Sequence, residues 1–263
     1  MGVVNVTPDS FSDGGLWLDP ERAIAHGVAL AHQGAAILDI GGESTRPGAD
    51  PVGTDAELRR TLPVIEGLAA AGTGARLSID TTKVAVARAA LNAGAGYVND
   101  VSAFRSEPAM AELVAEHGCD CCLMHMQGQP RTMQAQPRYD DVVGEVAGVL
   151  EERAAAAVAA GIAPERIQVD PGIGFGKTLE HNLDLLAGLE RIAALGFPVV
   201  VGVSRKAFLG TITGREIAAE RVAATVAANV LAFERGAEIF RVHDVAATVD
   251  ALKVAAASFR GHG

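Results

Sequence analysis

Eight short apolar runs alternate with helical stretches of ten or more residues from one end of the chain to the other. The runs fall at about 2–6, 36–41, 76–80, 97–100, 121–126, 167–170, 199–204 and 239–243. A helix between successive strands is the connection that parallel strands require. Eight strand–helix units within 263 residues therefore predict a single (β/α)8 barrel, a TIM barrel, occupying 1–263 as one domain. A doubly wound open sheet is the fallback. No linker, repeat, low-complexity tract or charge run marks a second domain. The composition agrees: 49% of residues are hydrophobic but only 4% aromatic, a core of Ala, Val, Leu and Ile suited to parallel strands under helices.

Local signals fix some helix ends. Asp19-Pro20-Glu21 reads as an N-cap followed by Pro at the first helical position. Thr54 and Glu57 have capping-box spacing, and Leu58, Leu62, Ile65 and Leu68 follow at helical intervals. Gly94 ends the third helix. The formal net charge of −10 argues against general nucleic-acid or anionic-membrane binding. No apolar run reaches membrane-spanning length and no leader is recognisable, so a soluble, cytoplasmic protein is expected. Cys119, Cys121 and Cys122 sit near His117 and His125. Adjacent strand residues point to opposite faces, which favours buried reduced thiols over a metal cluster.

Polar residues collect where the predicted strands end. They are Asn5, Asp39, Asp80, Asn99 with Asp100, His125, Asp170, Ser204-Arg205-Lys206, and Arg241 with His243. Barrel active sites occupy this rim. Helix capping accounts for some Asp and Ser residues there, but not readily for Lys206, Arg241 and His243. The last two are two apart on a strand and share a direction, expected to be inward. Asp80, Asn99 and Asp170 suit a heterocycle rich in N–H donors, since one carboxylate can accept two parallel N–H bonds. Lys206, Arg241 and His243 suit an anion. The Asn5 carbonyl oxygen suits a cation such as Mg²⁺, which commonly works with phosphate oxygens.

Three loops add detail. Asp170-Pro-Gly-Ile-Gly-Phe-Gly-Lys177 resembles a phosphate loop but has one residue too few between its glycines, and it lacks the dinucleotide fingerprint. Its Asp is the expected reader of ligand; a Gly-rich turn with a helix-capping Asp is the alternative. The polar stretches 7–15 and 43–48 look like binding loops that close over ligand, or like ordinary turns.

Together these segments carry a resemblance. Asn5-Val-Thr-Pro-Asp-Ser-Phe-Ser-Asp-Gly-Gly15, Gly41-Gly-Glu-Ser-Thr-Arg-Pro-Gly48, Ile79-Asp-Thr81, Val98-Asn-Asp-Val-Ser102, Met124-His-Met-Gln-Gly128, the 170–177 loop, Ser204-Arg-Lys206 and Arg241-Val-His-Asp-Val245 resemble the dihydropteroate synthase family. The motifs run in family order over essentially the whole chain. The resemblance implies a transferase of folate synthesis that joins 6-hydroxymethyl-7,8-dihydropterin diphosphate to p-aminobenzoate. It implies pterin contacts from Asp80, Asn99, Met126, Asp170, Phe175, Lys206 and Arg241. It implies p-aminobenzoate contacts from Thr45, Arg46, Pro47, Phe175 and Lys206. Pyrophosphate falls to Asn5, Thr45, Arg241 and His243, and Mg²⁺ to Asn5. Asp80, Lys206, Arg241 and His243 are the expected catalytic set. Sulfonamides are the implied competitive inhibitors, and a homodimer the implied assembly.

Three departures from the family pattern stand out. The chain starts four residues before Asn5, where the family usually has a short hairpin. Ala207 stands where many members carry Ser. Ala103-Phe104 replaces a small Gly-rich turn, so that Phe104 either reshapes the pocket wall or packs. Two rival readings are a methyltetrahydrofolate–corrinoid methyltransferase barrel, which has no pyrophosphate to hold, and an inactive pterin-binding paralogue.

Overall fold

A computed structural model of the protein describes residues 1–7, 19–45 and 48–260. Eight parallel strands form one sheet in chain order: β1 (Gly2–Asn5), β2 (Ile37–Gly41), β3 (Arg76–Asp80), β4 (Tyr97–Asp100), β5 (Asp120–Met124), β6 (Ile167–Asp170), β7 (Val199–Val201) and β8 (Ala237–Phe240). Ten α-helices among the described residues surround it. They are α1 (Pro20–His32), α2 (Thr54–Ala71), α3 (Val84–Asn92), α4 (Ala109–His117), α5 (Val142–Ala159), α6 (Leu179–Ala187), α7 (Leu189–Ala193), α8 (Ala207–Thr213), α9 (Val222–Glu234) and α10 (Val245–Arg260). The sheet curls until its ends meet. Val3 N–H donates to Val242 O at 3.1 Å, Val242 N–H donates to Met1 O at 2.9 Å, and Gly2 pairs in parallel with Val242. The expected barrel architecture is present.

Strand alternation splits the residues into two sets. Val4, Leu38, Ile40, Ile79, Val98, Cys121, Ile167, Val169 and Val201 join the apolar shell beneath the helices. The opposite set fills the barrel, where Tyr97, Cys122 and Val200 pack together with Asp39, Ser78 and Gln168 buried nearby. Cys121 and Cys122 therefore lie on opposite sides of the sheet, and all three cysteines are buried and free.

Most local signals hold. Asp19 accepts the Glu21 N–H at 3.0 Å and caps α1, with Pro20 in its first turn. Gly94 follows α3 with φ +109°. The capping box does not form: Gly53 caps α2, Thr54 is its first residue, and Glu57 is buried against Lys83 instead. The buried face of α2 is Glu57, Thr61, Val64, Ile65 and Leu68, leaving Leu58 and Leu62 half-buried. Strand eight starts earlier than expected and ends at Phe240. A register irregularity opposite Val199 and Val200 displaces it. Arg241 and His243 thus lie just past the strand, although Arg241 N–H still donates to Val201 O at 2.9 Å. β7 is likewise shorter, three residues long.

Phe104 packs rather than reshaping the pocket. It is 1% exposed and belongs to the apolar shell. Ala103 and Phe104 both adopt left-handed backbone, at φ +51° and +62°, a region that costs ~1–2 kcal/mol per non-glycine residue. Asp100 holds the turn by accepting the Ser102 and Phe104 N–H groups at 2.7 and 3.2 Å. Phe104→Ala should cost ~3–5 kcal/mol of stability through the cavity it leaves, read as a lower urea midpoint. A loss below ~1 kcal/mol would show that the ring is not part of the core.

Candidate active site

The C-terminal ends of the strands carry a connected set of buried charges. Its centre is Asp39, which is fully buried in β2. One carboxylate oxygen accepts from Ser78 Oγ at 2.6 Å; the other accepts from Asn99 Nδ2 at 3.1 Å and Arg241 Nε at 2.6 Å. The same guanidinium reaches Asp80 Oδ2 at 2.8 Å through its NH2 group. Strands two, three, four and the end of eight are thereby joined. Burial disfavours the Arg241 charge, but Asp39 and Asp80 outweigh it and hold the guanidinium protonated. Burial pushes the Asp80 carboxyl up, Arg241 opposes this, and Asp39, Glu57 and Asp100 add to it.

A second group surrounds the glycine-rich loop after β6. Asp170 accepts the Gly172 N–H at 2.7 Å. Burial raises its carboxyl, with Lys206 pulling the other way. Gly172 has φ +64°, and a Cβ there would lie 1.8 Å from the His125 carbonyl oxygen. Only glycine lets the loop pass that backbone. Lys206 Nζ bonds the Ile173 carbonyl and lies 4.6 Å from the centroid of the Phe175 ring. Burial lowers this lysine to about 8, against the pull of Asp170 and with Arg241 adding to the drop.

Arg205 explains where Lys206 points. It takes left-handed backbone at φ +57° and forks onto Asp244 at 2.9 and 2.6 Å. Its N–H donates to Thr225 Oγ1 at 2.9 Å. The clamp ties the loop after β7 to the loop after β8, where Ser204 Oγ and His243 Nδ1 are 2.9 Å apart.

Beside these charges Val101, Met124, Met126 and Met133 form a separate apolar cluster with Phe175 against it. A flat ring could lie on it. An open cavity of about 400 Å³ adjoins, lined among others by Thr45, Asp80, Met126, Ser102, Arg105 and Gln129. Of the residues singled out from the sequence, Asp80, Asn99 and Arg241 belong to one hydrogen-bonded network, and Asp170, Phe175 and Lys206 to its neighbour. Thr45 and Met126 line the cavity with Asp80. Asn5 ends β1 beside Gly41, its register partner. Arg46, Pro47 and residues 8–15 lie outside the described residues.

Sequence reasoning assigned no role to Asp39, although a carboxylate inside an otherwise apolar strand was visible. It also missed Lys177, which is 3% exposed. Its ammonium lies 3.0 Å from His125 Nδ1 and donates to Phe175 O at 3.0 Å. Burial, Lys177 and Arg105 push His125 down to about 3, so the imidazole is neutral and accepts from the ammonium. Tyr139 Oη, Gln134 Nε2 and Asn182 Oδ1 tether the loop at Gly176 O, Gly174 O and Gly174 N.

A family model described as pterin binding enzyme matches residues 1–243. The chain belongs to the pterin-binding enzyme family. The dihydropteroate synthase of Neisseria meningitidis serogroup B is 51% identical over 259 residues, which cover 97% of this chain and 90% of that one. A solved dihydropteroate synthase of Xanthomonas albilineans with 4-aminobenzoic acid superposes with a TM-score of 0.91 at 54% identity, covering 98% of this chain and 92% of that one. The Yersinia pestis dihydropteroate synthase in a sulfonamide drug complex gives 0.95 at 44% identity, covering 99% and 94%.

Burial lowers Lys177 from 10.5 to about 7, with Asp170 opposing and Lys206 adding. The unfolded chain then holds a proton between those values that the folded chain has released, so this group makes stability rise with pH across that window. Lys177→Met removes the term. Chemical denaturation at pH 7 and pH 10 should show wild type gaining on the variant by more than ~1 kcal/mol. Parallel pH slopes would mean that Lys177 keeps its usual pKa.

Proposed function

We propose that this chain joins 6-hydroxymethyl-7,8-dihydropterin diphosphate to p-aminobenzoate, releasing 7,8-dihydropteroate and pyrophosphate, as a dihydropteroate synthase. The observation that carries this is the buried Asp39–Arg241–Asp80–Asn99 network at the rim of a barrel whose relatives, matched over nearly full length, carry that name.

In this reading the carboxylates and carboxamide of Asp80, Asn99 and Asp170 read the pterin edge. Met126 and Phe175 flank its ring, and Lys206 and Arg241 contact it from the anion side. Phe175, Lys206 and the loop residues Thr45, Arg46 and Pro47 form the p-aminobenzoate pocket. Arg241, His243, Thr45 and Asn5 receive the diphosphate. Among the described residues no group of three His, Cys, Asp or Glu side chains is placed to hold a metal. Asn5, whose side chain carries a carboxamide oxygen, would hold a Mg²⁺ together with diphosphate oxygens. When bound, Mg²⁺ neutralises leaving-group charge.

The arylamine is a weak nucleophile, and this reading gives the Ser204–His243 pair, 2.9 Å apart, to the diphosphate rather than to covalent chemistry. A dissociative displacement follows. The bond between the exocyclic methylene carbon and the diphosphate oxygen breaks, and its electron pair leaves with pyrophosphate. The pterin ring delocalises the positive charge. Arg241, held by Asp39 and Asp80, lends its charge to the departing anion, and Asp80 faces the cation. The amine nitrogen then bonds the methylene carbon and gives up a proton. Orientation and field, rather than a strong base, supply the rate.

Sulfonamides, as in the Yersinia complex, would compete with p-aminobenzoate. We assign the protein to the cytoplasm, consistent with three free thiols and with no helix among the described residues long and apolar enough to cross a membrane. A homodimer would cover Ile212, Leu231 and Val254, which are exposed on α8, α9 and α10.

The test is pyrophosphate release from the dihydropterin diphosphate with Mg²⁺, with and without p-aminobenzoate, and with product identification. Release coupled to dihydropteroate and competed by a sulfonamide is expected. Pterin binding without coupled product would overturn the assignment in favour of an inactive paralogue. Within the active enzyme, Asp170→Asn should raise KM for the pterin substrate about tenfold or more with a smaller change in kcat. Asp80→Asn should also lower kcat, by about a hundredfold. Equal kcat and KM losses at the two positions would contradict this division of roles.

A further inference from the structure

One cluster of charges on the cavity wall has no part in the chemistry above. Lys83, the N-cap residue of α3, stands three positions past Asp80. Its ammonium lies 2.6 Å from Glu57 Oε2 and bonds Glu43 Oε2 as well. Glu57 is fully buried on α2, and its second oxygen has no hydrogen-bond partner. It is a fixed post that Lys83 alone neutralises among the described ion pairs. Glu43 is different: its side chain is 24% exposed, and it opens the 43–48 segment. Burial works against the Lys83 charge, but the bonds to Glu43 and Glu57 outweigh it, so the ammonium persists.

The same segment is pinned elsewhere. Arg60 donates to Gly42 O at 2.8 Å just before it, and Gly48 N–H donates to Pro130 O at 3.3 Å at its far end. Glu43, Glu57, Asp80 and Thr45 all border one cavity. Among the described residues, the segment is thus fastened by charge where it begins and by a backbone bond where it ends.

We propose that Lys83 is a positioning residue for the second substrate: braced on Glu57, it holds Glu43 so that Thr45, two residues on, borders the cavity before p-aminobenzoate arrives. The proposal rests on the assignment of that loop to the p-aminobenzoate pocket. Preorganising a binding loop removes an ordering cost that binding would otherwise carry. The pterin is read by residues on strand ends, which the latch does not move. The effect therefore falls on one substrate.

Glu43→Gln is the informative change, because it leaves the buried Lys83–Glu57 pair intact and the fold unharmed. Steady-state kinetics should show KM for p-aminobenzoate raised about tenfold, with KM for the dihydropterin diphosphate within about twofold of wild type. Lys83→Arg should keep most of the wild-type behaviour. In the ligand-free protein, hydrogen–deuterium exchange of a peptide covering 43–53 should quicken in Glu43→Gln while peptides from α2 and α3 do not change. An unaltered KM for p-aminobenzoate, or equal rises for both substrates, would overturn the proposal. So would unchanged exchange. If wild type makes no dihydropteroate, the assigned reaction fails, and the exchange comparison alone still decides whether the latch exists.

Discussion

Arg241 lies between two carboxylates that it keeps from repelling each other. Asp39 and Asp80 point into the same barrel interior from adjacent strands, and burying two such groups together is costly without a cation between them. The guanidinium resolves this with two separate hydrogen bonds, which a lysine could not direct in the same way. Much else follows from this contact. Asp39 is then free to orient Asn99 and Ser78, and Asp80 is held at the cavity wall. The segment after β8 is drawn inward, and that places His243 against Ser204 and Asp244 against Arg205. Breaking such a buried arrangement from one side is costly because the remaining charge is left unpaired.

The layering of the site reflects a division between rigid and adjustable parts. Asp80, Asn99 and Asp170 end strands and are buried, so their positions are set by the sheet. The glycine-rich turn after β6 is tethered at several backbone groups and threaded past His125 where no side chain fits. A rigid recognition floor of this kind holds its polar groups in place before any ligand arrives, which spares the ordering cost that binding would otherwise carry.

Much of this could be read from the sequence because strand ends in a barrel are a strong positional constraint. Asp80, Asn99, Asp170 and Arg241 were identifiable as polar residues closing apolar runs, and the structure brings them to one rim. What could not be read depended on contacts between segments distant in the chain. Thr54 and Glu57 had the spacing of a capping box, yet Glu57 turned inward because Lys83, 26 positions away, offers a buried carboxylate a stronger partner than a backbone N–H. Strand eight was displaced by an irregularity opposite β7, and such slips leave no mark on hydropathy. Asp39 was conspicuous, but its partners come from two other strands and from the segment just past β8. Phe104 read equally well as pocket wall or core, and only the left-handed turn that carries it decides for the core.

The closure of the sheet sets a condition on how the molecule is made. Val3 bonds to Val242, so the first strand finds its second neighbour only after the whole stretch between them has been synthesised. At typical rates of about 5–20 residues per second, that interval is on the order of ten seconds to a minute. Throughout it, the growing sheet presents β1 at one side and its newest strand at the other, each with unsatisfied backbone groups. Nascent chains of this barrel are therefore open to pairing with one another until the last strand emerges, and chaperone protection matters most just before that strand appears.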